Sequence, residues 1–187
     1  MTEQFLRRSS TRKNSLKLYY GIFHGNSSIL ILPAHTLFLG DNMPKPVTPL
    51  LAADILIELI DQPERPFVLI ERAYPPFGWA VPGGFVDVGE TVEQAAIREA
   101  KEETCLDITL TVLLGIYSNP ERDSRNHTVT AVYIAEATGM PRAADDAKNF
   151  GIFTFDNLPA VLAFDHAQVV EDYRNYRMTG KVTPLRI

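Results

Sequence analysis

Residues 84–106 read GFVDVGETVEQAAIREAKEETCL, a glycine-bounded opening followed by a run dense in glutamate. Thr91-Val92-Glu93-Gln94 has the form of a capping box, in which the threonine hydroxyl and the glutamine side chain satisfy backbone N–H groups reciprocally. The pattern predicts a helix over residues 91–104. At the helical angle per residue, Glu99, Glu102 and Glu103 fall within an arc of about 100°. Val92, Ala95 and Ala96 project to that same face, and Glu93, Gln94, Lys101 and Thr104 are expected on the opposite side. A solvated acidic face would lie opposite the apolar stripe, whereas these glutamates continue it. Like charges at this spacing repel by a few tenths of a kcal/mol per pair in water, and by more when partly buried. Two readings are open, a solvated face and a cation cage, and the geometry leans to the cage. Oxygen donors with no Cys or His partner suit Mg²⁺ or Mn²⁺ better than zinc.

The same residues carry a family resemblance. Gly84, five residues, Glu90, seven residues, then Arg98-Glu99-Ala100-Lys101-Glu102-Glu103-Thr104-Cys105-Leu106 closely resembles the Nudix box, G-x5-E-x7-R-E-U-x-E-E-x-G-U, where U is a bulky apolar residue. Six of the seven single-residue positions are met, and Leu106 and Ala100 stand at the apolar ones. The departure is Cys105 in place of glycine. A glycine there favours a left-handed backbone, so the expectation is a small buried apolar residue that ends the helix by another route.

The resemblance implies hydrolysis of a nucleoside diphosphate derivative by attack of water on a phosphorus of its pyrophosphate. It implies that Glu99, Glu102 and Glu103 ligate Mg²⁺ or Mn²⁺ together with the carbonyl of Gly83. Arg98 would pair with Glu90 or Glu102 and orient the carboxylates. Glu103 is the first choice for general base, which makes Glu103, Arg98 and Glu90 the catalytic set. Glu121 and Asp146 are loop alternatives, and Asp145-Asp146 read equally well as solvated turn acids. The stretch Asn119–His127 (NPERDSRNH) is similar to the R-D-P-R-G-H loop of ADP-ribose pyrophosphatase branches, with Ser124 for the proline and Asn126 for the glycine. Leu162–His166 (LAFDH) resembles a further element of that branch. Substrate-binding candidates are therefore Arg72, Arg122, Arg125 and Gly84. A guanidinium offers phosphate a bidentate fork, although an internal Arg–Asp pair in an exposed loop is the competing reading. His127 and His166 are expected to be structural hydrogen-bonders and Trp79 to be core packing.

Outward from this stretch, 187 residues with a hydrophobic fraction of 45% suit one globular domain. A net charge of −5 argues against nucleic-acid binding, and a lone cysteine excludes an internal disulfide. No apolar run is long enough to span a membrane. The expected compartment is the cytoplasm, with organellar targeting by the basic N-terminus as the minor alternative. Residues 1–49 read as a basic tail and a strand extension (strands at 16–24 and 28–32) and 50–187 as the main domain. The N-terminal strands either extend the sheet or serve a homodimer. Strands are expected at 50–61, 67–72, 106–118, 128–137 and 149–156, a loop with a short strand at 75–84, and a closing helix at 166–177. That order predicts an α/β (α+β) fold, a mixed β-sheet sandwiched between helices. The best single substrate is ADP-ribose, cleaved to AMP and ribose 5-phosphate. The alternatives are a nucleoside triphosphate pyrophosphohydrolase acting on oxidised nucleotides and a non-catalytic ADP-ribose sensor.

Overall fold

The computed structural model describes residues 46–142 and 147–186. The basic tail, the two N-terminal strands and Asp145-Asp146 lie outside the described residues. Among the described residues seven strands and two helices follow one another as β1 (Leu50–Leu59), β2 (Phe67–Arg72), β3 (Trp79–Ala80), β4 (Gly83–Phe85), α1 (Val92–Thr104), β5 (Thr109–Tyr117), β6 (Thr128–Ala137), β7 (Ala147–Phe153) and α2 (His166–Thr179). The sheet is mixed, as expected. β1 runs parallel to β6 from Leu50↔Thr128 to Leu59↔Ala137, and β5 lies antiparallel on β6.

β1 explains why the sheet needs a helix on each face. Its odd positions Ala53, Ile55, Ile57 and Leu59 are buried with Ala95, Ala96 and Ala100 of α1. Its even position Leu56 is buried with Val169, Val170 and Tyr173 of α2. Alternation thus feeds two cores from one strand, which is why the run reads as continuously apolar. Each large aliphatic side chain so buried contributes about 1.5–3 kcal/mol.

Two even positions are acids, Asp54 and Glu58, both buried. Glu58 is fully occupied: the Tyr173 hydroxyl donates to it, and Arg65 and Arg177 pair with it at 2.6 and 3.2 Å. Asp54 has looser company, with Arg122 at 3.6 Å and His166 at 3.7 Å. The difference reflects where the sheet opens. β1 meets β2 at the single register pair Glu58↔Phe67, and nearer its start its antiparallel partner is β4, from Ala52↔Phe85 to Asp54↔Gly83. β2 pairs instead with β3 and β7. The cleft described below lies where these partners change.

Five local expectations are corrected. Gly83 and Gly84 belong to a strand rather than to a loop, because their backbone pairs with β1. β5 begins at Thr109 rather than at Leu106, and β7 runs over Ala147–Phe153, where a turn closed by Thr154 N–H donating to Asn157 at 2.6 Å ends it. Thr104 is buried rather than outward-facing, and its hydroxyl donates to the Ala100 carbonyl at 2.5 Å, which meets its polar need inside the core. Cys105 is exposed and adopts φ 59°, ψ 10°, so the helix ends by the left-handed route itself, with the Cys105 N–H donating to Lys101 at 3.0 Å. No described helix is long and apolar enough to cross a membrane.

Candidate active site

The capping box forms as the sequence predicts, with the Gln94 N–H donating to the Thr91 hydroxyl at 3.2 Å and the Thr91 N–H to the Gln94 side chain at 2.8 Å. It fixes the start of α1 and hence the rotation of every residue after it. Ala95, Ala96, Ala100 and Thr104 define the buried stripe, so Glu103 points inward, Glu99 flanks it and Glu102 stands at the edge, half exposed. The Glu103 carboxylate accepts the Gly83 N–H at 2.9 Å. Burial pushes its pKa up to about 8, the Gly83 N–H opposes the rise, and the nearby Glu99 and Asp54 carboxylates add to it. Burial also raises Glu99, although Arg98 works against it.

Arg98 organises the outer carboxylates. Its Nη2 reaches Glu90 at 2.6 Å and the Phe85 carbonyl at 3.1 Å, its Nε also reaches Glu90, and its Nη1 meets Glu99 at 2.7 Å and Glu102 at 3.1 Å. Glu90 in turn accepts the Asp87 N–H at 2.8 Å, so the clamp is tied to the loop before α1. These bonds hold the Glu90 carboxyl below its usual range and raise the Arg98 guanidinium above its own. The planar fork uses five bonds to hold three carboxylates and a carbonyl at once, more than the three donors of a lysine could make.

Absence of side chains at two positions lets these parts meet. A Cβ on Gly84 would fall on the Glu99 carboxylate, and one on Gly83 on the Ala53 carbonyl and the Asp54 side chain. The glycines therefore bring β4 backbone directly against the acids.

Across a cleft of about 340 Å³ stands a basic wall. Arg122, buried, makes a two-pronged bond to Asp165 at 2.8 and 3.0 Å. Arg125 makes the same kind of bond to Asp123, at 2.8 and 3.0 Å. Arg72 anchors its Nε on the Pro76 carbonyl at 2.8 Å. His166 is buried, and its Nδ1 accepts the Val81 N–H at 2.9 Å, which places any proton of the neutral ring on Nε2, facing Asp54.

Of the expected site residues, Gly83, Gly84, Glu99, Glu103, Arg72, Arg122 and Arg125 line this one cleft. Glu90, Arg98 and Glu102 stand just outside its lining and connect to it through Glu99. Glu121 is exposed and away from the lining, where its own N–H caps on Asn119 at 2.9 Å. His127 contacts the Ser118 carbonyl at 3.3 Å, and Trp79 packs edge-on against Phe153 at 5.0 Å. Among the lining residues, Asp54 was not singled out from the sequence, and Phe164 entered only as a member of the Leu162–His166 element. An acid inside an otherwise apolar strand is costly unless paired, and that signal would have found Asp54.

Among the described residues no three acid or imidazole side chains are gathered ready-made around one point. Arg98 ties Glu90, Glu99 and Glu102 to one guanidinium instead. The donor set nevertheless fits a hard divalent cation. It is all oxygen, and among the described residues Glu103 forms no ion pair despite its burial beside Glu99 and Asp54.

Comparison with known proteins agrees with this geometry. The NUDIX domain model matches residues 49–173. The chain is 44% identical over 132 residues to an ADP-ribose pyrophosphatase of Methanocaldococcus jannaschii, covering 69% of this chain and 75% of the relative. Among solved structures, a MutT/nudix family protein from Enterococcus faecalis is 28% identical with a TM-score of 0.65, covering 79% of this chain and 68% of that one. The NUDIX domain of Shewanella oneidensis NrtR, complexed with ADP ribose, is 27% identical with a TM-score of 0.64, covering 78% of this chain and 99% of that one. The box of acids on α1, the glycine strand that meets them and the mixed sheet beneath are therefore those of the Nudix family, to which this chain belongs as a hydrolase.

Proposed function

We propose that this hydrolase cleaves the phosphoanhydride of ADP-ribose with water, giving AMP and ribose 5-phosphate, with Mg²⁺ or Mn²⁺ as cofactor. The observation that carries the reading is the division of one cleft into an acidic wall around Glu103 and a basic wall around Arg72 and Arg125. A diphosphate diester bears charge for the basic wall and needs a neutralising cation at the acidic one. The M. jannaschii relative is named for this activity, and the S. oneidensis domain binds this ligand.

Glu99, Glu102, Glu103 and the Gly83 carbonyl would hold the cation, whose chemistry there is neutralisation of the pyrophosphate and a lower pKa for the attacking water. The chain's own groups do the rest. Arg98 keeps Glu99 and Glu102 in fixed rotamers, an orienting role of the kind that surrounds most metal ligands. Glu103, placed on the inward face, accepts the proton of the water as its oxygen bonds phosphorus and the bridging P–O bond breaks. Arg72 and Arg125 bind nonbridging phosphate oxygens, and Arg122, locked on Asp165, fixes the loop that carries Arg125.

The test is turnover of the full chain with Mg²⁺ and a panel of ADP-ribose, NADH, diadenosine polyphosphates and nucleoside triphosphates. AMP with ribose 5-phosphate is the expected product pair. Release of free pyrophosphate from a triphosphate, with ADP-ribose untouched, would replace this substrate by the triphosphate alternative. Turnover that survives Glu102→Gln combined with Glu103→Gln would sink the mechanism.

A further inference from the structure

The element Leu162–His166 sends three successive side chains to three parts of the cleft. Asp165 holds Arg122, His166 accepts the Val81 N–H beside Asp54, and Phe164 lies between the two remaining arginines. Phe164 has φ 57°, a left-handed conformation that disfavours any residue with a Cβ. The apolar cluster it joins is small, Ile70, Ala80 and Ala163, and Phe164 is only partly buried against it.

Besides the His166 ring, tilted against it at 5.3 Å, the Phe164 ring meets two cations. The guanidinium carbon of Arg72 lies 4.6 Å from the ring centre and that of Arg125 5.1 Å. An aromatic face attracts cations, Arg above all, without using up their N–H donors. Among the described residues neither Nη of Arg72 has a hydrogen-bond or ion-pair partner, since Arg72 is anchored through Nε alone. Burial, and after it the charge of Arg125, disfavours the cationic form of Arg72. Arg125 is paired with Asp123, and Glu103, Asp123 and Asp54 act on Arg72 only from a distance, so Arg72 brings open Nη donors to the cleft.

We propose that Phe164 is a positioning residue, whose ring seats Arg72 and Arg125 as a paired clamp for a diphosphate group. The proposal rests on the preceding reading only in taking these arginines as substrate contacts; the identity of the nucleotide does not enter. Ring-seated guanidiniums present their N–H edges to the cleft at little entropic cost. Without the ring Arg72 keeps only its Nε anchor on Pro76 and Arg125 only its Asp123 pair, and the open donors of Arg72 turn to solvent or to neighbouring acids, which weakens binding of the diphosphate more than it alters the chemical step.

The test uses the full chain with Mg²⁺ and three variants. Phe164→Tyr keeps the ring, Phe164→Leu keeps apolar volume, and Phe164→Asn accommodates the left-handed backbone without a ring. Thermal melts identify folded variants, and either of the last two suffices. Calorimetric titration with methylenediphosphonate, a diphosphate that cannot be hydrolysed, is expected to give about tenfold weaker binding for Leu or Asn, with Tyr within about twofold of the parent. On ADP-ribose, KM rises by a similar factor while kcat stays within about threefold. Equal binding by the Leu or Asn variant, an equal loss in the Tyr variant, or no binding of methylenediphosphonate by the parent overturns the clamp. A parent that binds methylenediphosphonate with this variant pattern but leaves ADP-ribose intact supports the clamp and overturns the substrate instead.

Discussion

The two walls of the cleft solve the same electrostatic problem in opposite ways. On the acidic wall one cation, Arg98, is shared among Glu90, Glu99 and Glu102, and Glu103 is left buried without an ion pair among the described residues. On the basic wall each of two arginines has its own carboxylate, Arg122 with Asp165 and Arg125 with Asp123, and Arg72 is left with open donors. Each wall therefore keeps one ionisable group short of a counter-charge, and both face the same cavity. Burying an unpaired charge costs stability, and such costs concentrate where binding is to occur. The pairing of the remaining groups makes the walls rigid, while the unpaired ones give a ligand something to neutralise.

The largest expected effect tests the acidic side of this contrast. Glu103→Gln is expected to lower kcat by roughly 10²–10⁴-fold, the usual worth of a general base. It should do so without destabilising the metal-free protein. In the parent the carboxyl titrates near pH 8 when folded, against an ordinary value of 4.5. The folded state thus holds a proton that the unfolded state has released between those values. Stability of the parent in EDTA then falls as pH rises from about 4.5 to 8, at up to ~1.4 kcal/mol per pH unit for this one group. Melting curves in EDTA between pH 5 and 9 should show that decline in the parent and a flatter profile in Glu103→Gln. Identical profiles would mean that Glu103 is not the buried unpaired group of this wall.

The basic side is broken at Arg122. Its side chain is 4% exposed and its partner Asp165 17%, so Arg122→Leu strands a largely buried carboxylate. Loss of one member of such a pair costs about 3–5 kcal/mol. A urea midpoint for Arg122→Leu should fall accordingly, and Arg122→Leu with Asp165→Leu should recover part of the loss. A double variant as unstable as the single one would show that the pair is not what holds the loop.

The contrast also separates what the sequence could reveal from what it could not. The acidic wall, apart from Asp54, comes from Gly83–Glu103, where capping, helical period and glycine spacing act over short range, so its residues were legible as one motif. Even there one residue of α1 departs from the expected face, because a threonine that bonds back to its own helix can be buried, as Thr104 is. The basic wall joins Arg72 at the end of β2, the loop around Arg122 and the entry to α2, elements brought together only by the sheet. Its arginines were legible as chemistry, but their partners were not. Nothing local says that Arg122 meets a carboxylate 43 residues away or that Phe164 sits under two cations. Asp54 stands apart, since its place inside an apolar run signals a buried acid but does not say which cation or cleft it meets.

The smallest effect concerns the end of α1, where the acidic wall is anchored to the rest of the chain. Cys105 occupies a left-handed position that glycine adopts without strain, and a residue with a Cβ gives up about 1 kcal/mol or more there. Its side chain is exposed, so nothing packed is lost by removing it. Glycine gives back part of that gain through the greater freedom of the unfolded chain. Cys105→Gly should therefore raise stability by about 0.5–1 kcal/mol, read as a shift in the urea midpoint at unchanged slope, and should leave kcat and KM as they were. A loss of stability would mean that the thiol makes a contact worth more than the strain. A change in kcat would mean that the last turn of α1 sets the orientation of Glu102 and Glu103, a role that the Arg98 clamp and the Gly83 hydrogen bond otherwise fill from the other side.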